Sequence, residues 1–219
     1  MEETLAVPPP GDRAVLAVLN GEAKLGQAVA DRVNDNIGGD ALARWLGAMA
    51  LRVPTVEELL GFVKAFLADM VRVPCATPPE RILDTCGTGG DRSHTFNIST
   101  TAALVVAGAG VRVAKHGNRA ASSQCGSADV LAELGVVIDL DGPGVARCID
   151  DAGIGFCFAQ KFHSALRFAG PARQQLGVPT TFNFLGPLAN PARVTRQSVG
   201  VGDPAMGERI AATLVELGA

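Results

Sequence analysis

Residues 81–91 read Arg-Ile-Leu-Asp-Thr-Cys-Gly-Thr-Gly-Gly-Asp. Arg81-Ile82-Leu83-Asp84 has strand character and runs into a turn with three glycines in four positions, after which residues 95–100 lead into an apolar helix at Thr101–Ala107. Glycines there let backbone N–H groups converge on an anion, and the next helix N-terminus adds partial positive charge. A phosphate or pyrophosphate suits such a cradle. No Gly-Lys-Ser/Thr follows, and the spacing is not Gly-x-Gly-x-x-Gly, which argues against nucleotide hydrolysis and dinucleotide binding.

Working outward, Val111–Ala114, Val136–Asp139, Ile154–Phe158 and Ser198–Val201 read as further short strands. Their alternation with helices predicts a mainly parallel sheet. Gly135, Gly153 and Gly177 each stand where a left-handed helix cap belongs. Upstream, Arg13–Val73 reads as helix only: Ala14, Val15, Val18 and Leu19 recur at helical spacing, as do Leu42, Trp45, Leu46 and Met49. Thr55, followed by Glu57 and Glu58 and then Leu59, Phe62, Val63 and Phe66, marks a capped helix start. Pro74 and Pro78-Pro79 form a linker. The expected fold is α/β: a small N-terminal helical domain, residues 1–73, beside a larger α/β domain, residues 74–219. A further strand is expected after the helix Gly207–Leu217, so the chain reads as truncated at its C-terminus.

The 219 residues carry 22 acidic and 19 basic side chains, a formal charge of -3. That supplies no broad positive field for nucleic acid. The longest apolar run, Ala102–Val111, is far short of the roughly 20 residues that span a bilayer. Glu2, Glu3 and Pro8-Pro9-Pro10 do not resemble a secretory signal. No nucleic-acid or membrane partner and a cytoplasmic location are therefore expected. Five cysteines, at 75, 86, 125, 148 and 157, form no Cys-x-x-Cys pair and read as free thiols. Cys86 lies inside the glycine loop with His94 and His116 near it in sequence, but reads as an inert thiol rather than a nucleophile.

Asn97, Ser99 and Thr100 crowd the helix entry, where they either cap the helix or bind oxygen ligands and a magnesium ion. Asp91 holds a ribose hydroxyl or serves as a turn residue. The strand at Val111–Ala114 leads into Lys115-His116-Gly117-Asn118-Arg119 and then Ser122-Ser123. In a parallel sheet the ends of neighbouring strands lie side by side, so this basic loop is expected to face the glycine loop across a crevice. Lys115 supplies a point charge for phosphate, and Ser122, Ser123 and Ser127 offer hydroxyls at the next helix start.

Gly87-Thr88-Gly89-Gly90-Asp91, Asn97-Ile98-Ser99-Thr100, Lys115-His116-Gly117-Asn118-Arg119 and the run Asn183–Pro191, in this order, resemble the signatures of the anthranilate phosphoribosyltransferases. The resemblance covers nearly the whole chain. It implies a homodimer formed through the helical domain and two small-molecule substrates, 5-phosphoribosyl-1-pyrophosphate and anthranilate. By it, Gly87, Gly90, Asp91, Thr95, Asn97, Ile98, Ser99, Thr100, Lys115, His116, Gly117, Asn118, Arg119, Ala120, Ala121, Ser122, Ser123 and Ser127 line the phosphoribosyl pyrophosphate site. Ser99 also reaches Mg2+. Gly87, Asn118, His163 and Arg173 contact anthranilate, and Lys115, Asn118 and Arg173 carry the catalysis. For His163 the alternative is a residue on a helix surface.

The reaction implied moves the ribose carbon from pyrophosphate to the anthranilate amine, through an oxocarbenium-like transition state. There are departures from the family. Its members continue further and carry a magnesium-binding Asp-Glu pair, Ser164 follows His163 where Pro is common, and tyrosine is absent. An intact cradle with an incomplete metal site is thus expected of this chain. The rival readings are a pyrimidine nucleoside phosphorylase and a non-catalytic binding or assembly protein of the same fold.

Overall fold

A computed structural model of the chain describes residues 43, 46, 49, 50, 53–89, 95–120, 125–164, 169–173 and 180–219. Helix α1, Val56–Asp69, starts as expected. Thr55 Oγ1 accepts from Glu58 N (3.2 Å) while Thr55 N donates to Glu58 Oε2 (2.9 Å), a reciprocal capping box. Its inner face buries Leu59, Phe62, Val63 and Phe66, each worth roughly 2 kcal/mol in removed apolar area. Thr55→Ala is expected to cost about 1 kcal/mol, readable in a urea unfolding curve; an unchanged midpoint contradicts the cap. Leu46 and Met49 are helical and buried, as their spacing predicts; Leu42, Trp45 and the pattern around Ala14 lie outside the described residues.

Four parallel strands follow among the described residues: β1 Ile82–Gly87, β2 Arg112–Gly117, β3 Ile154–Phe158 and β4 Arg196–Gly200, in the spatial order β3-β2-β1-β4. The chain steps from β1 to β2 to β3 in one direction and then returns to pair β4 with the other side of β1. The strand order therefore reverses at β1, and in open parallel sheets the crevice beyond the strand C-termini at such a reversal is where ligands bind. Helix α2, Ile98–Gly108, connects β1 to β2. α3, Ser127–Glu133, and α4, Gly142–Arg147, connect β2 to β3, α4 passing into a π-helical turn at Cys148–Ala152. Helices α5, Ala159–Phe162, and α6, Phe182–Leu185, and a 3-10 turn at Gly186–Leu188 precede β4, and α7, Pro204–Glu216, follows it.

The expectation of a strand at Val136–Asp139 is not met. Those residues belong to no helix or strand, with Val137 62% exposed; β3 occupies the place beside β2, and the N-cap of α4 at Asp141 comes too soon for another strand. Gly135 and Gly153 have φ of 84° and 82°, as a left-handed cap requires; Gly177 lies outside the described residues. One core joins α1 to Ala169, Ala172, α6 and α7, while a second, containing Ile82, Ala114 and Cys157, packs the sheet against Val145 and Ile149. No helix among the described residues is long and apolar enough to cross a membrane.

Candidate active site

Alternation along the strands sends neighbouring side chains to opposite faces of the sheet. At adjacent C-terminal ends, Thr85 of β1 and Lys115 of β2 point to one face, while Asp84 and His116 point to the other. The first face holds the candidate cradle. Lys115 is only 3% exposed; its Nζ donates to the Thr85 carbonyl at 2.7 Å and to Ser99 Oγ at 3.4 Å, and Thr85 Oγ1 donates to the Ser99 carbonyl at 2.8 Å. The ammonium thus sits on the floor between β1, β2 and the mouth of α2. Burial lowers its pKa, against which the Asp84 carboxylate acts. No carboxylate among the described residues touches it, so its charge is available to an anion from outside.

Above this floor, Gly89 has φ 66°, a conformation costly for any residue with a side chain. Thr88, between the glycines, faces the sheet instead: its N–H donates to Gly200 O (2.9 Å), and Thr88 Oγ1 accepts from Gly202 N (3.0 Å). Strand β4 holds the loop from behind. Gly90 and Asp91 lie outside the described residues, as do Ala121, Ser122 and Ser123. Thr95 and Ile98 are exposed at the entry, and Thr100 is buried beneath it. Asn97 stands at the N-cap of α2 but makes no side-chain cap; its Nδ2 reaches Cys125 O at 3.4 Å, tying the two loops across the crevice.

The basic loop is organised by Asp129 in the first turn of α3. Its carboxylate accepts from Ala120 N (2.9 Å), Gly126 N (2.8 Å) and Arg119 (2.9 Å), and these bonds, the backbone pair foremost, lower its pKa. The Arg119 guanidinium is thereby matched to a protein carboxylate. Asn118 Oδ1 accepts from Arg119 N, and the Asn118 carbonyl accepts from Ala128 N and Ser127 Oγ, which folds Ser127 against the end of β2. Gly117 admits that approach, because a Cβ there would collide with Ser127 Oγ and the Phe156 ring.

The opposite face is a polar staple that the sequence reading did not foresee. Asp84, fully buried, accepts from His116 N (3.1 Å) and Asn190 Nδ2 (2.8 Å). Asn190 Nδ2 also donates to Ala114 O (2.9 Å), and its Oδ1 accepts from Ala192 N (2.8 Å). His116 Nδ1 meets Gly186 O at 2.8 Å, and Gln197 Nε2 donates to Pro187 O at 2.7 Å. The run Asn183–Pro191 is therefore stitched to the strand residues next to Lys115. Burial raises the Asp84 carboxyl pKa, while the Asn190 bond draws it down. Cys86 is buried with a strongly raised pKa, from burial first and Asp84 second, which excludes a thiolate nucleophile.

Arg173 is half-buried. Its guanidinium lies 5.8 Å from the centroid of the Phe182 ring and donates to Asn183 Oδ1 at 3.3 Å. No carboxylate pairs with it among the described residues, and burial lowers its pKa. Phe182 packs on Phe62 and Phe66, Phe66 on His163 (5.5 Å), and His163 on His116 (5.1 Å). A ladder of rings thus runs from below Arg173 to the residue beside Lys115. His163 is 4% exposed, which corrects the reading of it as a helix-surface residue.

Residues 79–219 match the glycosyl transferase family, a/b domain. The chain belongs to this family. Among relatives, an anthranilate phosphoribosyltransferase of Roseiflexus castenholzii is 50% identical over 209 residues, covering 94% of this chain and 61% of the relative. The crystal structure of anthranilate phosphoribosyltransferase from Thermus thermophilus superposes with a TM-score of 0.81 at 39% identity, over 94% of this chain and 63% of that one. The Saccharomyces cerevisiae enzyme, in complex with PRPP and Mg, superposes with a TM-score of 0.77 at 26% identity, over 94% and 62%. The chain thus spans less than two thirds of the length of each. The expected resemblance and the α/β class with its parallel sheet are both met.

Among the glycosyl transferase family residues buried here, the histidines carry a pH dependence. Burial holds His116 at about 3 and His163 at about 4, with His163 contributing to the depression of His116; the Ala189 carbonyl favours the His163 cation slightly but lies outside hydrogen-bond geometry. Both rings are neutral in the fold, whereas the unfolded chain takes up protons near pH 6.5. Below that pH the unfolded state binds more protons, so stability present above 6.5 is lost as pH falls toward 4, by up to roughly 1.4 kcal/mol per histidine per pH unit. The raised Asp84 pKa works in the opposite direction above its ordinary value. The melting temperature is expected to fall from pH 7 to pH 4.5, less steeply in His163→Gln; a flat profile contradicts neutral burial.

Proposed function

We propose that the chain binds 5-phosphoribosyl-1-pyrophosphate across the β1 and β2 strand ends and transfers its phosphoribosyl group to anthranilate. The products are N-(5-phosphoribosyl)-anthranilate and pyrophosphate, in tryptophan biosynthesis. The observation that carries this reading is the buried Lys115 ammonium, aimed between a glycine turn and a helix mouth with no carboxylate of the described residues against it. Transfer breaks the bond from ribose C1 to a pyrophosphate oxygen, forms the bond from C1 to the amine nitrogen, and releases one amine proton. No covalent nucleophile is needed. Lys115 offsets the charge growing on the leaving diphosphate, and backbone donors of the loops hold it in line.

Magnesium takes hard oxygen donors and enters such sites largely on substrate phosphates. No group of three or more His, Cys, Asp or Glu side chains among the described residues could hold a metal ion. Ser99 Oγ, beside Lys115 at the mouth of α2, fits as a single protein ligand to a metal carried in on the diphosphate. When bound, the ion adds to the neutralisation of the leaving group.

The acceptor end is Arg173, whose guanidinium, paired with no carboxylate among the described residues, suits a substrate carboxylate gripped by two charge-assisted bonds. Asn118, His163 and Gly87 complete the proposed anthranilate contacts, and a homodimer through the helical unit 1–73, whose helix α1 shares a core with α6 and α7 of the α/β unit 74–219, and a cytoplasmic location complete the reading. Arg173→Ala is expected to lower kcat/KM for anthranilate at least a hundredfold while phosphoribosyl pyrophosphate still stabilises the protein. A thermal-shift titration tests the assignment as a whole. Phosphoribosyl pyrophosphate with Mg2+ at about a hundred times its Kd should stabilise by about 2.7 kcal/mol. Stabilisation by a pyrimidine nucleoside plus phosphate instead would transfer the assignment to a phosphorylase, and binding without loss of anthranilate fluorescence would make the chain a binder only.

A further inference from the structure

We infer that Asn183 is a positioning and specificity-determining residue, a neutral acceptor that fixes the Arg173 guanidinium without cancelling its charge and so reserves it for a carboxylate on the acceptor substrate. The inference rests on the acceptor role proposed for Arg173. Two donors, Thr180 N at 2.9 Å and the Arg173 guanidinium at 3.3 Å, converge on the same atom, Asn183 Oδ1. Two N–H groups pointing at one atom require it to be the amide oxygen. An aspartate is the one residue of the same shape that would also satisfy both donors, and it would add a charge. Paired with a half-buried guanidinium, that charge would form an internal ion pair. The substrate carboxylate would then have to compete with it.

The rest of the setting fixes the guanidinium in place. Its central carbon lies 5.8 Å from the centroid of the Phe182 ring, which is held in turn by Phe62 and Phe66 in the core, so the guanidinium rests against a fixed aromatic surface. Asn183 is held in turn by the first residues of the α6 segment, Asn183 N donating to Thr180 O at 2.9 Å. Three residues on, Gly186 O meets His116, the neighbour of Lys115. Orientation at Arg173 is thereby built on the same stitched segment that borders the diphosphate end.

The test is a fluorescence titration of anthranilate into the chain with inorganic pyrophosphate and Mg2+ filling the cradle, repeated with 2-aminobenzamide, in which the carboxylate is a neutral amide. Asn183→Asp, which keeps both bonds and therefore the fold, should weaken anthranilate at least tenfold and leave 2-aminobenzamide within twofold. Equal weakening of both probes would mean a merely structural role, and an unchanged anthranilate Kd would also overturn the inference. Arg173→Ala separates the two layers. If it leaves anthranilate binding intact, the acceptor assignment itself is wrong and the inference falls with it; if it weakens binding while Asn183→Asp does not, only the role of Asn183 is lost.

Discussion

Lys115→Met should bind phosphoribosyl pyrophosphate at least a hundredfold more weakly than the unsubstituted chain, yet melt at the same temperature or higher. The two halves of this expectation have one cause. The ammonium of a lysine that is 3% exposed, with a carbonyl and a hydroxyl as its hydrogen-bond partners, gives up hydration that those partners only partly replace. Methionine fills the same volume without that cost. In the presence of a diphosphate the balance reverses, because loss of one preorganised charge typically costs about a hundredfold. Calorimetric titration and a thermal melt on the same preparation check both halves. Undiminished affinity would remove Lys115 from the site, and a melting temperature lowered by many degrees would make it a structural residue.

The second large effect belongs to the staple. Asn190→Ala is expected to destabilise the protein by about 3 kcal/mol, because it strips the buried Asp84 carboxyl of a hydrogen bond and leaves Ala114 O without that donor. For a chain of this size that corresponds to a melting temperature lower by roughly 10 °C. Asp84→Asn in the Asn190→Ala background should cost less than the sum of the two single substitutions, since both act on one network. Additive losses, or a loss below about 0.5 kcal/mol for Asn190→Ala, would show that the network contributes little.

These two residues also show what can be read from a sequence. The meeting of Thr85, Ser99 and Lys115 was legible because its parts are close in the chain: a strand, a glycine turn and a helix start within 20 residues, with a second strand running into Lys115. Asp84 and Asn190 are 106 residues apart, and no hydrophobic period links them. Only the reversal of strand order at β1, which depends on where β4 lands, brings the Gly186–Pro191 segment beneath Asp84 and His116. Similarly, β2 continues through Lys115, His116 and Gly117, polar residues that read as loop; burial on both faces of the sheet turns them into strand. Val136–Ile138 shows the converse, β-branched residues with no neighbouring strand to pair with. Asp129 was within reach: an acid three residues after Gly126 at a helix start is a capping arrangement, and it is what shapes the basic loop.

The central claim is that the ends of β1 and β2 jointly hold a diphosphate over Lys115. A crystal structure of the chain soaked with phosphoribosyl pyrophosphate and Mg2+ tests it most directly. The account predicts diphosphate density between the turn at Gly87–Gly89 and the loop at Gly117–Ser127, with an oxygen within hydrogen-bond reach of Lys115 Nζ. Density for the ligand elsewhere on the molecule, with Lys115 still bonded only to Thr85 and Ser99, would contradict it.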